Sequence, residues 1–190
     1  AGNDLIRSAD ATAMQMVRVT TLAPNGPGSL SDALSQGNRR IVFDVAGVID
    51  LRVPSASRPD GSLRIESSNI EIDGSTAPSP GITIIGARVL IRDASDVTIR
   101  HVRIRPGQQF DGDALSILAS EDVLIQNVSL SWARDELADV WQGSLLPVHG
   151  LVKRSDGYTA FVVKVYNAAV VMWPAVEVLK GVWCEDIRVK

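Results

Sequence analysis

Two short runs hold most of the residues in this chain that could do chemistry: Asp111 and Asp113 on either side of Gly112, and Asp135, Glu136 and Asp139 further on. Carboxylates drawn from Asp111, Asp113 and Asp135 could serve as acid and base of an inverting glycoside hydrolase. That chemistry needs them roughly 6.5–9.5 Å apart. The structural alternative is a solvated turn at Asp111–Asp113 and a polar loop face at Asp135, Glu136 and Asp139. Arg134 stands beside the second run, and Lys153 and Arg154 form the nearest basic pair after it. Trp132 and Trp141 flank the same stretch, where an indole either stacks on a sugar ring or packs at a strand end. His101 and His149 are the only histidines, too few for a histidine-rich metal site. No serine lies in a Gly-x-Ser-x-Gly elbow, so nucleophilic hydrolysis has no support. The single cysteine, Cys184, lies at an apolar position of the pattern described next and reads as a small buried hydrophobe.

These residues must be held by something repetitive. Val97, Ile99, Val102 and Ile104 place apolar side chains at i, i+2, i+5 and i+7, and Val123, Ile125, Val128 and Leu130 repeat the pattern 26 positions later. A spacing of two is a strand period, and the step of three reverses the phase, as at a corner that stays on the core. Ile70 and Ile72 precede the pattern by 27 positions, and Phe161, Val163, Tyr166 and Ala168, then Val182, Cys184, Ile187 and Val189, follow it less cleanly. A fixed interval of this size predicts stacked coils, each unable to bury its apolar side alone. The expectation is an all-β, single-stranded parallel β-helix, with a β-sandwich as the alternative. Strands are expected near 41–45, 63–72, 82–91, 97–105, 114–117, 123–130, 161–166 and 182–189. Asn127, 26 positions after His101, is expected in a polar ladder at a corner of successive coils. Gly28–Leu34 predicts a short helix capped by Ser29 or Ser31, with Leu30, Ala33 and Leu34 covering the first coil. The chain reads as one domain, 1–190, with an N-terminal cap over about 1–40 and an irregular loop over about 133–159, where the period breaks and Gly143, Pro147, Gly150 and Gly157 cluster.

Composition narrows the partners. Nineteen basic against 22 acidic residues give a net charge of −3, so no global positive field draws in nucleic acid, and any anion site must be local. No stretch is long and apolar enough to span a bilayer. One cysteine excludes an internal disulfide framework without deciding the compartment. The first residues, Ala1-Gly2-Asn3-Asp4, carry no signal-peptide pattern.

The succession Gly26-Pro-Gly-Ser-Leu30, Ile41-Val-Phe-Asp-Val-Ala-Gly-Val-Ile-Asp-Leu51, Ile72-Asp-Gly-Ser-Thr-Ala-Pro78, Ile99-Arg-His-Val-Arg-Ile-Arg-Pro-Gly107, Asp113-Ala-Leu-Ser-Ile117 and Ser129-Leu-Ser-Trp-Ala-Arg-Asp-Glu136 resembles the N-terminal half of bacterial pectate lyases over about residues 19–141. The resemblance implies a right-handed parallel β-helix, secreted or periplasmic, acting on an acidic, pectate-like polysaccharide. It also implies calcium held by carboxylates, and a basic residue that removes the proton at C5. Carried over by motif, Asp113, then Asp135 and Glu136, are the expected metal ligands, with Asp111 and Asp139 in reserve. Arg134, Lys153 and Arg154 are the candidates for the base, and Trp132 and Trp141 for substrate contact. Two departures stand out. Gln126-Asn127 replaces the acid and histidine the family motif would carry, which is expected to weaken a calcium site. No clear copy of the downstream basic motif is present, and from Gln142 on the likeness fades toward β-helical glycoside hydrolases. A catalytically inactive, glycan-binding or structural β-helix and an inverting hydrolase are therefore the alternatives.

Overall fold

The computed structural model describes residues 14–52, 58–141, 148–149 and 152–153. Its strands fall into coils of up to three. Strand β1 (Gln15–Val19) and helix α1 (Leu30–Ala33) come first, and the coil after them holds β2 (Arg39–Phe43) and β3 (Gly47–Asp50). The next two hold β4 (Leu63–Ile65), β5 (Ile70–Asp73), β6 (Ile82–Ile85), then β7 (Val89–Arg92), β8 (Ser95–Arg100) and β9 (Val102–Arg105). The last two hold β10 (Leu115–Leu118), β11 (Glu121–Gln126), β12 (Ser129–Leu130), then β13 (Ala138–Trp141), β14 (Val148–His149) and β15 (Val152–Lys153). They form three parallel sheets: six strands in the order β1-β2-β5-β8-β11-β14, five as β15-β12-β9-β6-β3, and four as β13-β10-β7-β4. This is the right-handed parallel β-helix.

Register follows the apolar repeat. Val97 pairs with Val123 and Ile99 with Ile125, as the 26-residue spacing requires. Ile41, Ile72, Ile99 and Ile125 stack through the six-stranded sheet, each almost wholly buried. Leu63, Val89 and Leu115 do the same in the four-stranded sheet, and Ile84, Ile104 and Leu130 in the five-stranded one. Burying each such side chain stabilises by roughly 1.5–3 kcal/mol, so the column outweighs any single surface contact.

Corners split 97–105 and 123–130 into two short strands each, as the step of three in the repeat requires, and they also split 63–72 and 82–91, each expected as one strand. Asn38, Asn69, Asp96 and Asp122 form one column immediately before the register Arg39, Ile70, Val97 and Val123, all left-handed, with φ of 58°, 57°, 54° and 50°. Asn and Asp tolerate that conformation best after glycine. The Asn69 amide donates to Asn38 Oδ1 at 2.6 Å. His101 and Asn127 share the corner leaving the six-stranded sheet, where the ladder is expected, and both are left-handed. Gly74 holds that place one coil earlier, where an added Cβ would lie 2.3 Å from the His101 carbonyl oxygen.

Helix α1 covers the first coil as expected. Ser29 is its cap, accepting from the Asp32 N–H at 3.1 Å, and Leu30, Ala33 and Leu34 are buried. The stretch read as an irregular loop is less irregular than its glycines and prolines suggest: β13, β14 and β15 lie within it and extend all three sheets. Strands expected at 161–166 and 182–189, and Cys184, lie outside the described residues. Among the described residues, no helix is long and apolar enough to cross a membrane.

Candidate metal and substrate site

Asp113 is next to last in the 106–114 link from β9 to β10, and the 131–137 link makes the same passage from β12 to β13 one coil later. Parallel pairing brings the two together: the Ala114 N–H donates to the Glu136 carbonyl at 3.1 Å and Leu115 N–H to the Leu137 carbonyl at 3.3 Å. Asp113 and Glu136 therefore enter neighbouring strands side by side. One carboxylate oxygen from each of Asp113, Asp135 and Glu136 lies within 4.8 Å of the other two.

Asp113 is the anchor of the three, 7% exposed, whereas Asp135 is exposed and Glu136 half-buried. Its carboxylate accepts at both oxygens, from the Ser116 hydroxyl (2.8 Å to Oδ2) and from the Glu136 N–H (3.2 Å to Oδ1). A buried carboxylate is retained only when it is bonded in this way. The two bonds also fix its orientation, leaving lone pairs for a cation. Ligands on opposite sides of a calcium ion at 2.3–2.6 Å stand about 4.6–5.2 Å apart, so an all-carboxylate group within 4.8 Å has the size and the hard oxygen donors for it. The same closeness is tighter than the roughly 6.5–9.5 Å of an inverting hydrolase.

The remaining expected residues are spread more widely. Asp139 is buried in β13, in register with Ser116. Asp111 is exposed and faces Arg134 across 3.6 Å, an open ion pair of little stabilising value. Trp132 is 54% exposed at φ 64°, with the Arg105 guanidinium 6.0 Å from its ring centroid. Trp141 ends β13 opposite Leu118, and Lys153 lies in β15 opposite Leu130. Arg154 lies outside the described residues. Gln126 requires a correction: it belongs to the six-stranded sheet, in register between Arg100 and His149, while the carboxylate group sits at the mouth of the four-stranded sheet. It stands apart from the acids because a whole strand pair, β10 and β11, separates it from Asp113, so the expected weakening of the metal site by this amide has no geometric basis.

Two contributors escaped the sequence reading. Ser116 alternates outward between the inward Leu115 and Ile117, three positions after Asp113, a spacing that could have marked it as a bonding partner. Arg105 is the outward residue before Pro106, and only the stacked geometry places it by Trp132.

No protein-family model matches the chain. It is similar to curated proteins named probable pectate lyase C: 36% identical over 120 residues to that of Emericella nidulans, 38% over 120 residues to that of Aspergillus terreus, and 37% over 124 residues to that of Aspergillus fumigatus. These matches cover 62–64% of this chain and 26–27% of the relatives, so the chain matches about a quarter of their length. Among solved structures, that of Jun a 1, the major allergen from cedar pollen, superposes with a TM-score of 0.58 at 20% identity, over 80% of this chain and 52% of that one. That likeness is one of fold.

Proposed function

We propose that the chain acts outside the cell, secreted or periplasmic, as a polysaccharide lyase that cleaves a pectate-like polyuronate by calcium-assisted β-elimination. The observation that carries this is the oriented, buried Asp113 with the Asp135 and Glu136 carboxylates gathered around it, on a chain similar to proteins named probable pectate lyase C. Asp113, Asp135 and Glu136 would hold the ion. Calcium, when bound, draws charge from the uronate carboxylate beside the carbon to be deprotonated. Asp113 fixes the depth of the site and Glu136, through its own N–H, ties the arriving loop to it.

The base is to take the C5 proton; the electron pair left behind forms the C4–C5 double bond as the C4–oxygen bond to the next sugar breaks. Of Arg134, Lys153 and Arg154, Arg134 is the one delivered directly beside Asp135 by the same loop. Its open pairing with Asp111 leaves it movable toward substrate. Trp132, exposed on that loop, and Trp141 are the proposed sugar contacts. Incubation with polygalacturonate and calcium tests the reading. Ultraviolet absorbance of an unsaturated uronide is expected and should vanish with a chelator. Reducing ends without absorbance would mean a hydrolase, and neither would mean a binding or structural β-helix.

A further inference from the structure

Trp132 is a poor candidate for packing. It is 54% exposed, whereas the residues before it, Leu130 and Ser131, are buried. Its backbone is left-handed at φ 64°, a conformation unfavourable for a bulky side chain. One side of the indole is backed by Arg105, whose guanidinium lies 6.0 Å from the ring centroid. That guanidinium is itself held: one terminal nitrogen donates to the Ser129 carbonyl and the other to the Ser129 hydroxyl at 2.7 Å. The start of the 131–137 link, just past the five-stranded sheet, thus presents an aromatic plate braced by a fixed cation.

We propose that this Arg105–Trp132 pair is a docking platform for one uronate ring of the polysaccharide, separate from the carboxylate group and independent of calcium. The proposal rests on the lyase reading for its choice of sugar. Its position suits a second contact along one chain: Trp132 precedes Asp135 by three residues, which limits their Cα separation to about 11 Å. The chemistry suits an acidic sugar better than a neutral one. The apolar C–H face of a pyranose stacks on an indole, but an aromatic face is negative and resists an anion. A guanidinium fixed behind the ring offsets that charge and attracts the sugar's carboxylate through space. Arg105 acts as a positioning residue for the ring and as the source of the preference for acid.

Calorimetry in EDTA with trigalacturonate, and with cellotriose as a neutral sugar of the same length, isolates the platform from any metal. The intact chain is expected to bind trigalacturonate at least fivefold more tightly than cellotriose. Trp132→Ala should weaken trigalacturonate binding about tenfold with circular dichroism and melting unchanged, and Trp132→Phe should retain most of it. Arg105→Gln should abolish the preference for the acidic sugar, and Arg105→Lys should restore part of it. No binding in EDTA, equal affinity for the two sugars, or a Trp132→Ala chain that binds within twofold of the parent would each overturn the platform. Failure of the lyase reading would appear elsewhere, as the absence of unsaturated product when calcium is present.

Discussion

At the scale of single residues, two carboxylates behave in opposite ways because of what surrounds them. Asp113 is kept oriented by one hydroxyl and one amide, an arrangement suited to sharing its charge with a cation. Calcium at 100 times its dissociation constant should therefore stabilise the fold by about 2.7 kcal/mol by linkage. Thermal melting with and without the ion would register this as a rise that Asp113→Ala abolishes. Ser116→Ala should weaken binding by roughly tenfold, as loss of an outer hydrogen bond does. Gln126→Asp should leave calcium affinity unchanged, since that position lies in another sheet. Asp73 is the contrasting case. Burial pushes its carboxyl up, but hydrogen bonds from Ser75 and Arg40, with Arg100 nearby, outweigh that and hold it below the ordinary carboxylate range. A lowered folded-state value means the contribution is complete above the unfolded pKa of about 3.9 and fades as pH falls through the lower folded value. Asp73→Asn should cost about 1–2 kcal/mol at neutral pH and flatten the acid limb of a stability-against-pH curve. An unchanged acid limb would contradict this account of Asp73.

At the scale of elements, inward columns and left-handed corners divide the work. Val123→Asp would place an unpaired charge beneath Val97, and loss of the folded state in circular dichroism is expected. Asn127→Ala should cost about 1 kcal/mol, a fall of a few degrees in melting temperature, while Asn127→Gly should be nearly neutral, because only the left-handed backbone is at issue. The strand columns were legible in the sequence because Val97, Ile99, Val123 and Ile125 repeat at a constant interval. The corners inside 63–72 and 82–91 were not, since an inward residue on each side of a tight bend reads as one apolar run. The acids were legible only as two clusters. Their meeting depends on parallel pairing of β10 with β13, within a segment whose glycines and prolines masked the strand. For the same reason the sequence could not separate Gln126 from the acids, although it lies near them along the chain.

At the scale of the whole molecule, a stack in which each coil touches only its neighbours should lose its ends before its middle. Ser29→Ala removes the cap of α1, at a cost of about 1 kcal/mol. Hydrogen exchange should then quicken in β1 and β2 while β8 and β11 keep their protection; uniform acceleration would mean the coils unfold as one. The links between sheets differ in a way that bears on how such a chain can change. His101 alone joins β8 to β9, and residues 93–94 and 119–120 alone join the four-stranded sheet to the six-stranded one in successive coils. The return from the five-stranded to the four-stranded sheet varies from 86–88 to 106–114 and 131–137. Length is thus held short where the four-stranded sheet passes to the six-stranded one, at 66–69, 93–94 and 119–120, and is free on the return edge, which is where the carboxylates and Trp132 reside. Insertions there leave the pitch of the stack untouched, so that edge works as a socket: a loop from another coil-built protein could be exchanged for 131–137 to change what is gripped, with β12 and β13 continuing to pair as before.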